Sequence, residues 1–159
     1  MIEYRVEALT DELIAEMLPF QEQYRKEVAA PFHPFPPDVD WKTYKIAQTA
    51  GRLKVICGRA DGELKAGCFI VFGPHPHWAC YAASLPLLFV DPSYRKGREG
   101  IRLVKLAEEE AIKSGAQMMM THGGVHNGVY RLFEALKYGD AGRYFIKVIG
   151  DTEPKFKGV

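Results

Sequence analysis

The chain has 159 residues and a mass of 17.9 kDa, and its 47% hydrophobic and 26% charged residues suit one domain with a solvated surface. Twenty-one basic against twenty acidic residues leave a net charge of +1, without the basic excess of a dedicated nucleic-acid binder. No apolar run approaches the ~20 residues of a membrane span, and Met1-Ile2-Glu3-Tyr4-Arg5 lacks the apolar core of a secretory signal. The three cysteines, Cys57, Cys68 and Cys80, form no CxxC pair and supply no zinc set. They read as buried free thiols of a soluble, cytoplasmic protein.

The run Ile2, Tyr4, Val6, Ala8 alternates with Glu3, Arg5, Glu7, the period of a half-buried strand. Thr10 then offers an N-cap, with Asp11 and Glu12 in the first turn and Leu13, Ile14, Met17, Leu18 as an apolar stripe. Pro19 is expected to kink or end that helix, with a second piece over Phe20–Val28. Pro31-Phe32-His33-Pro34-Phe35-Pro36-Pro37 holds four of the chain's ten prolines and reads as a stiff loop. Asp40 caps a short helix that Gly51 closes. Leu53–Arg59 and Leu64–Phe72 flank Asp61-Gly62, a strong hairpin signal. Gly73-Pro74-His75-Pro76-His77 reads as a turn, and Cys80–Val90 as a strand in which Pro86 marks a bulge or an edge.

The period then changes. Gly100–Ser114 is helical, with Ile101, Val104, Ala107 and Ala111 on one face and Gly115 as C-cap. Residues 116–120 form a short buried strand; Val129, Leu132, Phe133 and Leu136 mark another helix; Arg143–Ile149 alternates as a final strand. The order β-α-α-β-β-β-α-β-α-β gives class α+β, a mixed central sheet flanked by helices. The expected domain is residues 1–150, followed by a polar tail, 151–159.

The most informative segment joins strand 87–90 to the helix. An apolar strand stops at Asp91-Pro92; Arg95, Lys96, Gly97 and Arg98 follow, and a helix opens at once through Glu99, Gly100 and Ile101. Glycines admit a ligand close to the backbone, a helix start presents unpaired N–H donors, and the cations add charge. Such a loop suits a phosphate or pyrophosphate.

Val90-Asp91-Pro92-x-Tyr94-Arg95, loop, Gly100-Ile101-x-Leu103 and long helix resemble the acetyl-CoA-binding motif of the GNAT N-acetyltransferases, Gln/Arg-x-x-Gly-x-Gly/Ala. Counting from Arg95, the second small residue falls on Gly100, while Arg98 holds the place of the first glycine, with Gly97 one position early. His126-Asn127-Gly128 through Tyr138 is similar to the family's Asn-x-x-Ala-x-x-Leu-Tyr-x-x-x-Gly-Phe segment, with His126 at its asparagine. Lys147-Val148 is similar to the Lys-Val or Lys-Arg pair of its closing strand. Tyr94–Gly100 is also similar to acetyltransferase-like proteins of phage genomes, which implies a bacterial host cytoplasm.

The resemblance implies acetyl-CoA as co-substrate, in a cleft where strand 87–90 splays from strand 116–120. Its pantetheine would run along Leu88, Phe89 and Val90, with its pyrophosphate over Arg95–Gly100 and Ile101 and with His126 and Asn127 nearby. The acceptor would be a primary amine, on a small molecule or a protein, entering beside the Pro-rich loop. Direct attack needs an amine proton path, an oxyanion donor such as the Leu88 or Val90 amide, and an acid for the thiolate. The family's acidic tyrosine falls on Phe133; the substitute acid would be Tyr130, three residues earlier on a similar helix face, or Tyr138 beyond the helix, and Tyr130 is the candidate carried forward. His122 is the candidate base; His33, Glu22 and Glu27 are acceptor-side candidates. His75-x-His77 lacks a third ligand, so no metal is expected. The rival readings are a GNAT-fold CoA-binding or structural protein without turnover and a nucleotide-phosphate binder. Neither a nucleic acid nor a membrane is an expected partner, and an exposed final strand could pair across a homodimer.

Overall fold

The computed structural model describes residues 1–29, 39–124, 127–142, 145–147 and 149–150. In chain order they form β1 (Glu3–Glu7), α1 (Asp11–Tyr24) with a π-helical extension (Arg25–Ala29), α2 (Trp41–Thr49), β2 (Leu53–Ala60), β3 (Glu63–His75) and β4 (Cys80–Val90). A 3-10 turn (Pro92–Tyr94), α3 (Glu99–Lys113), β5 (Met118–Met120) and α4 (Tyr130–Ala135) complete them. The five strands lie in the order β1-β2-β3-β4-β5, antiparallel except that β5 joins β4 in parallel. This is the mixed α+β arrangement that the sequence predicts.

Local chemistry explains the boundaries. Thr10 Oγ1 accepts from the Leu13 N–H at 3.2 Å, and Asp40 Oδ1 accepts from the Thr43 N–H at 3.0 Å, so both helices start on side-chain caps. Asp61 and Gly62 hold φ of 52° and 81°, the pair of positive values that a tight type I′ hairpin requires. Gly115, at φ 84°, ends α3 and lets the Ala116 N–H return to the Ala111 carbonyl at 3.0 Å.

The sheet separates two cores. On one face Ile56, Cys68, Ile70, Phe72 and Ala83 pack with Leu103, Val104 and Ala107 of α3 and Phe133 of α4. On the other, Val55, Cys57 and Phe69 pack with Leu13 and Met17 of α1, and the Trp41 and Tyr44 rings of α2 meet Phe69 edge-on. Covered on both faces, β3 is buried almost continuously from Leu64 to Phe72 and not in alternation. Burial first, with the nearby Glu7 charge, pushes the Cys57 thiol up to about 12, consistent with an inert free cysteine.

Several expectations are corrected. Pro19 does not end α1, which continues to Tyr24, because Met17 stays buried and Phe20 stacks on Phe89 at 4.4 Å, holding both sides of the proline on the sheet. Leu18 is 52% exposed and lies off the apolar stripe. Gly73, Pro74 and His75 are not turn but the end of β3, paired with Ala82, Tyr81 and Cys80; the turn starts at Pro76. The strand over 116–120 begins only at Met118, since the Ala116 N–H is taken by the helix cap. The strand over Arg143–Ile149 is not formed among its described residues: 145–147 and 149 lie outside any strand, with Phe145 and Ile149 fully in solvent, because β5 is too short to offer a long edge. On β1, Val6 is exposed and Glu7 is half-buried, drawn in by Arg59.

Two contacts lead to direct tests. Arg59 donates to Glu7 at 2.9 and 3.0 Å and to Glu16 at 2.6 Å, tying β1, β2 and α1 together. The Arg59 hydrogen bonds, joined by one from Arg5, outweigh partial burial and hold the Glu7 carboxyl at about 2. Its folded value lies below the unfolded one, so the stabilisation is present above about pH 5 and disappears as pH falls toward 2. Glu7→Gln should therefore cost on the order of 1–2 kcal/mol at pH 7, and urea midpoints of variant and wild type should converge by about pH 2. Secondly, a Cβ on Gly123 would stand 2.6 Å from Tyr130 Cα and 2.7 Å from Tyr130 N, backbone that cannot give way cheaply. Gly123→Ala should destabilise by about 1–3 kcal/mol and lower the melting temperature by several degrees.

Candidate active site

The β4–β5 ladder is short. Ala82, Ala83 and Ser84 pair with Met118, Met119 and Met120, and there pairing stops, while β4 runs on to Val90 beside β3 alone. Leu85 and Pro86 form a bulge opposite Ile70, between the Ser84–Val71 and Leu87–Phe69 pairs. Beyond the bulge, orientation follows from hydrogen bonds. The Asp91 N–H donates to the Lys65 carbonyl at 2.7 Å, so Asp91 faces β3. By the alternation of an antiparallel strand, the N–H and C=O of Val90 and Leu88 face the opposite edge, where β5 has ended. The Val90 carbonyl is taken there by Arg95 Nε at 2.7 Å. The Leu88 and Val90 amides thus face the gap between parted strands. Leu88 and Val90 side chains pack toward α3, and Phe89 packs toward α1.

The slot leads to the start of α3. Asp91 caps the 3-10 turn, accepting from the Ser93 N–H at 2.9 Å, and the chain reaches Glu99 through Arg95–Arg98. Arg98 is the N-cap and supplies no side-chain hydrogen bond to the helix, so the first-turn amides of Glu99, Gly100 and Ile101 keep their donor capacity toward solvent. Gly100 sits near Leu132 with room for ordinary contact, and Gly97 is open on all sides. Lys96 and Arg98 are exposed and carry no ion pair among the described residues. Arg95 differs from the sequence expectation: besides Val90, its guanidinium binds Glu27 at 2.9 Å on the π-helical extension. Its side chain therefore staples α1 to the end of β4, and the two unengaged cations are the loop's free charge.

A second cluster closes the same end of the sheet. His122 stands two residues past the final pair of β5, in an exposed position. Gly123 packs directly on the backbone of Tyr130, which brings the candidate base and the candidate acid to one corner. The Tyr130 hydroxyl accepts from Arg131 Nε at 3.3 Å near the surface. Asn127 is exposed, and its Oδ1 accepts from the Val129 N–H at 3.2 Å; it shapes the entry to α4 instead of reaching toward the loop. His126 lies outside the described residues, as do His33 and the Pro-rich loop. Phe133 is 6% exposed and meets the Tyr138 ring edge-on at 5.4 Å, so the position expected to carry an acid is core. Tyr138 donates to Met119 Sδ at 3.3 Å, and burial, with the nearby Glu108, raises its hydroxyl well above the usual range.

Elsewhere the charge is mostly satisfied. Glu22 pairs with Arg25 at 2.7 Å. A groove of about 440 Å³ between β1 and α1 is lined by Arg5, Glu7, Glu12, Glu16 and Arg59, but it lies at the far edge of the sheet and its ions bind one another. His75 and His77 sit at the β3–β4 tip with ring centroids 6.0 Å apart, and His75 stacks on Trp78. Among the described residues no three metal-ligating side chains cluster.

No protein-family model matches the chain, and no curated protein matches it. Solved structures do. A ribosomal-protein-alanine N-acetyltransferase from Brucella melitensis biovar Abortus 2308 is 14% identical, covering 94% of this chain and 100% of its own, with a TM-score of 0.70. A predicted acetyltransferase from Clostridium acetobutylicum, solved with acetyl-CoA, is 11% identical over 94% of this chain and 97% of its own, with a TM-score of 0.73. AAC(6')-Iy, solved with a bisubstrate analogue built on CoA, is 14% identical over 95% and 99%, with a TM-score of 0.69. Across nearly its whole length, this protein has the mixed α+β fold of the GNAT acetyltransferases.

Proposed function

We propose that the protein is an acetyl-CoA-dependent N-acetyltransferase that moves the acetyl group to a primary amine, on a small molecule or a protein, by direct attack. The observation that carries this reading is the continuity of one surface: the slot lined by the Leu88 and Val90 amides opens onto the start of α3, where Lys96 and Arg98 are exposed and have no ion pair among the described residues. An acyl-pantetheine needs a narrow, hydrogen-bonding slot, and a pyrophosphate needs donors and positive charge at the slot's end. The residues present fit both demands. Two of the structures that share the fold hold acetyl-CoA or a CoA-based analogue, which supports the same assignment.

Acetyl-CoA would supply the activated acetyl group; the protein's share is binding, orientation and proton handling. The Leu88 and Val90 amides are the preorganised donors for the oxygen that gains charge during attack. His122 takes the amine proton, directly or through water, and Tyr130, brought to the same corner by the Gly123 contact, is the acid for the leaving thiolate. A thiolate with a pKa near 8.5 needs less help to leave than an alkoxide, so an acid as weak as a phenol suffices. The Arg95–Glu27 staple and the Phe20–Phe89 stack hold α1 and its extension against the end of β4, the side from which the acceptor would enter. This reading keeps the cytoplasmic setting (that of a bacterial host for a phage-encoded chain) and has no role for nucleic acid or membrane. No helix among the described residues is long and apolar enough to cross a membrane.

One observation favours a second reading, a CoA-binding protein without turnover: Phe133 is locked in the core and brings no proton to the site. Titration calorimetry with acetyl-CoA, CoA and ATP separates the possibilities. The expected result is saturable binding of acetyl-CoA and CoA but not of ATP, followed by thiol release with at least one amine of a panel. Binding without thiol release supports the second reading, and ATP binding in preference to CoA makes the site a nucleotide site. Arg98→Glu should weaken CoA binding by about tenfold or more, and unchanged affinity removes the loop from the site. Tyr130→Phe should lower kcat by about a hundredfold with little change in KM, and full activity removes Tyr130 as the acid.

A further inference from the structure

Glu99 is the first residue of α3, flanked by Arg98 and Gly100, whose amides belong to the candidate phosphate site. A carboxylate at a helix start is drawn to the same unpaired amides that a phosphate would use, and it repels a bound phosphate. In this structure the carboxylate is turned aside. The Tyr4 hydroxyl, on β1, donates to Glu99 Oε2 at 2.8 Å, and an Arg102 guanidinium nitrogen lies 3.8 Å from that oxygen. Arg102 also stands 5.0 Å over the Tyr4 ring and donates to the Ile2 carbonyl at 3.0 Å, which fixes both partners. Gly58 makes the arrangement possible, because a Cβ there would stand 2.6 Å from Tyr4 Cε1. Burial and the adjacent Glu99 carboxylate raise the Tyr4 hydroxyl well above its usual range, so it stays a donor at any working pH.

We infer that Tyr4, backed by Arg102, is a positioning residue of the cofactor site: its hydroxyl holds the Glu99 carboxylate on the β1 side of α3 and leaves the first-turn amides to the phosphates of acetyl-CoA. The inference rests on the acetyl-CoA reading. A tie that merely fastens β1 to α3 would use the same hydrogen bond, and the two roles differ in their dependence on the charge of Glu99.

The test is calorimetric titration of CoA into wild type, Tyr4→Phe and Tyr4→Phe/Glu99→Gln, each checked by thermal melting. Tyr4→Phe should weaken CoA binding about fivefold to tenfold, more at low salt than at high salt. Adding Glu99→Gln should restore most of the loss, because the amide carries no charge to compete with phosphate. Unchanged affinity in Tyr4→Phe overturns the inference, and so does a loss that Glu99→Gln fails to restore. If Tyr4→Phe melts too low to titrate, Arg102→Gln with and without Glu99→Gln reads the same rescue. A wild type that binds no CoA overturns the acetyl-CoA reading itself, and the positioning role with it. That outcome is seen in the first titration, before any variant is compared.

Discussion

A hydrogen-bond ladder that stops early is the feature on which the rest of this structure depends. Three residues of β5 pair with β4, and past Ser84 and Met120 the two strands share nothing. Leaving strand amides unpaired inside a sheet is costly unless something else receives them. Here the opening is prepared on the β4 side by the Leu85–Pro86 bulge, since Pro86 has no N–H to give and the extra residue re-aims the strand. It is then held open by layers that do not depend on β5. Val90 packs toward α3, Phe89 is sandwiched between Phe20 and the bare backbone of Gly67, and Arg95 occupies the Val90 carbonyl. The slot is a supported absence of pairing, which is what a site needs if an extended, hydrogen-bonding ligand is to take a strand's place.

The same economy governs charge around α3. Three basic residues precede the helix, and one of them is consumed structurally: Arg95 faces Val90 and Glu27, while Lys96 and Arg98 remain in solvent. The one acidic residue of the first turn, Glu99, is engaged from the opposite side by Tyr4 and Arg102. Segregation of the two signs gives the helix start a net positive face although the chain as a whole is nearly neutral, carrying +1.

Much of this was legible in the residues themselves. Thr10, Asp40, Asp61-Gly62 and Gly115 announce their caps and turns because each acts within four residues of its partner, and all four behave as such. The Val90–Ile101 segment is readable for the same reason, as strand end, glycines and helix start are contiguous. What was not legible is decided by distant neighbours. Pro19 is tolerated because the sheet holds the helix on either side of it. Residues 73–75 are strand because Tyr81 and Cys80 lie opposite. Alternation over Arg143–Ile149 signals a strand, but a strand also needs an edge, and β5 provides only three residues of one. Arg95 and Tyr4 find partners 68 and 95 positions away, and no local pattern encodes such a choice.

The three-stranded meander from Leu53 to Val90 bears on how the chain folds. Its strands are joined by short turns, and β3, 13 residues long, is covered on both faces. Short loops close at small entropic cost, so this unit gathers its contacts before the long-range docking of β1 and β5 on the outer edges. With these loop lengths the centre is expected to condense before the margins. The slot lies at the boundary between the two, with one wall belonging to the early unit and the other to a three-residue strand added after a 15-residue helix has formed. Slow exchange of amide hydrogens would mark the β3–β4 ladder behind the slot, and rapid exchange the β5 wall, so that the side receiving the ligand is a rigid anvil facing a margin able to breathe.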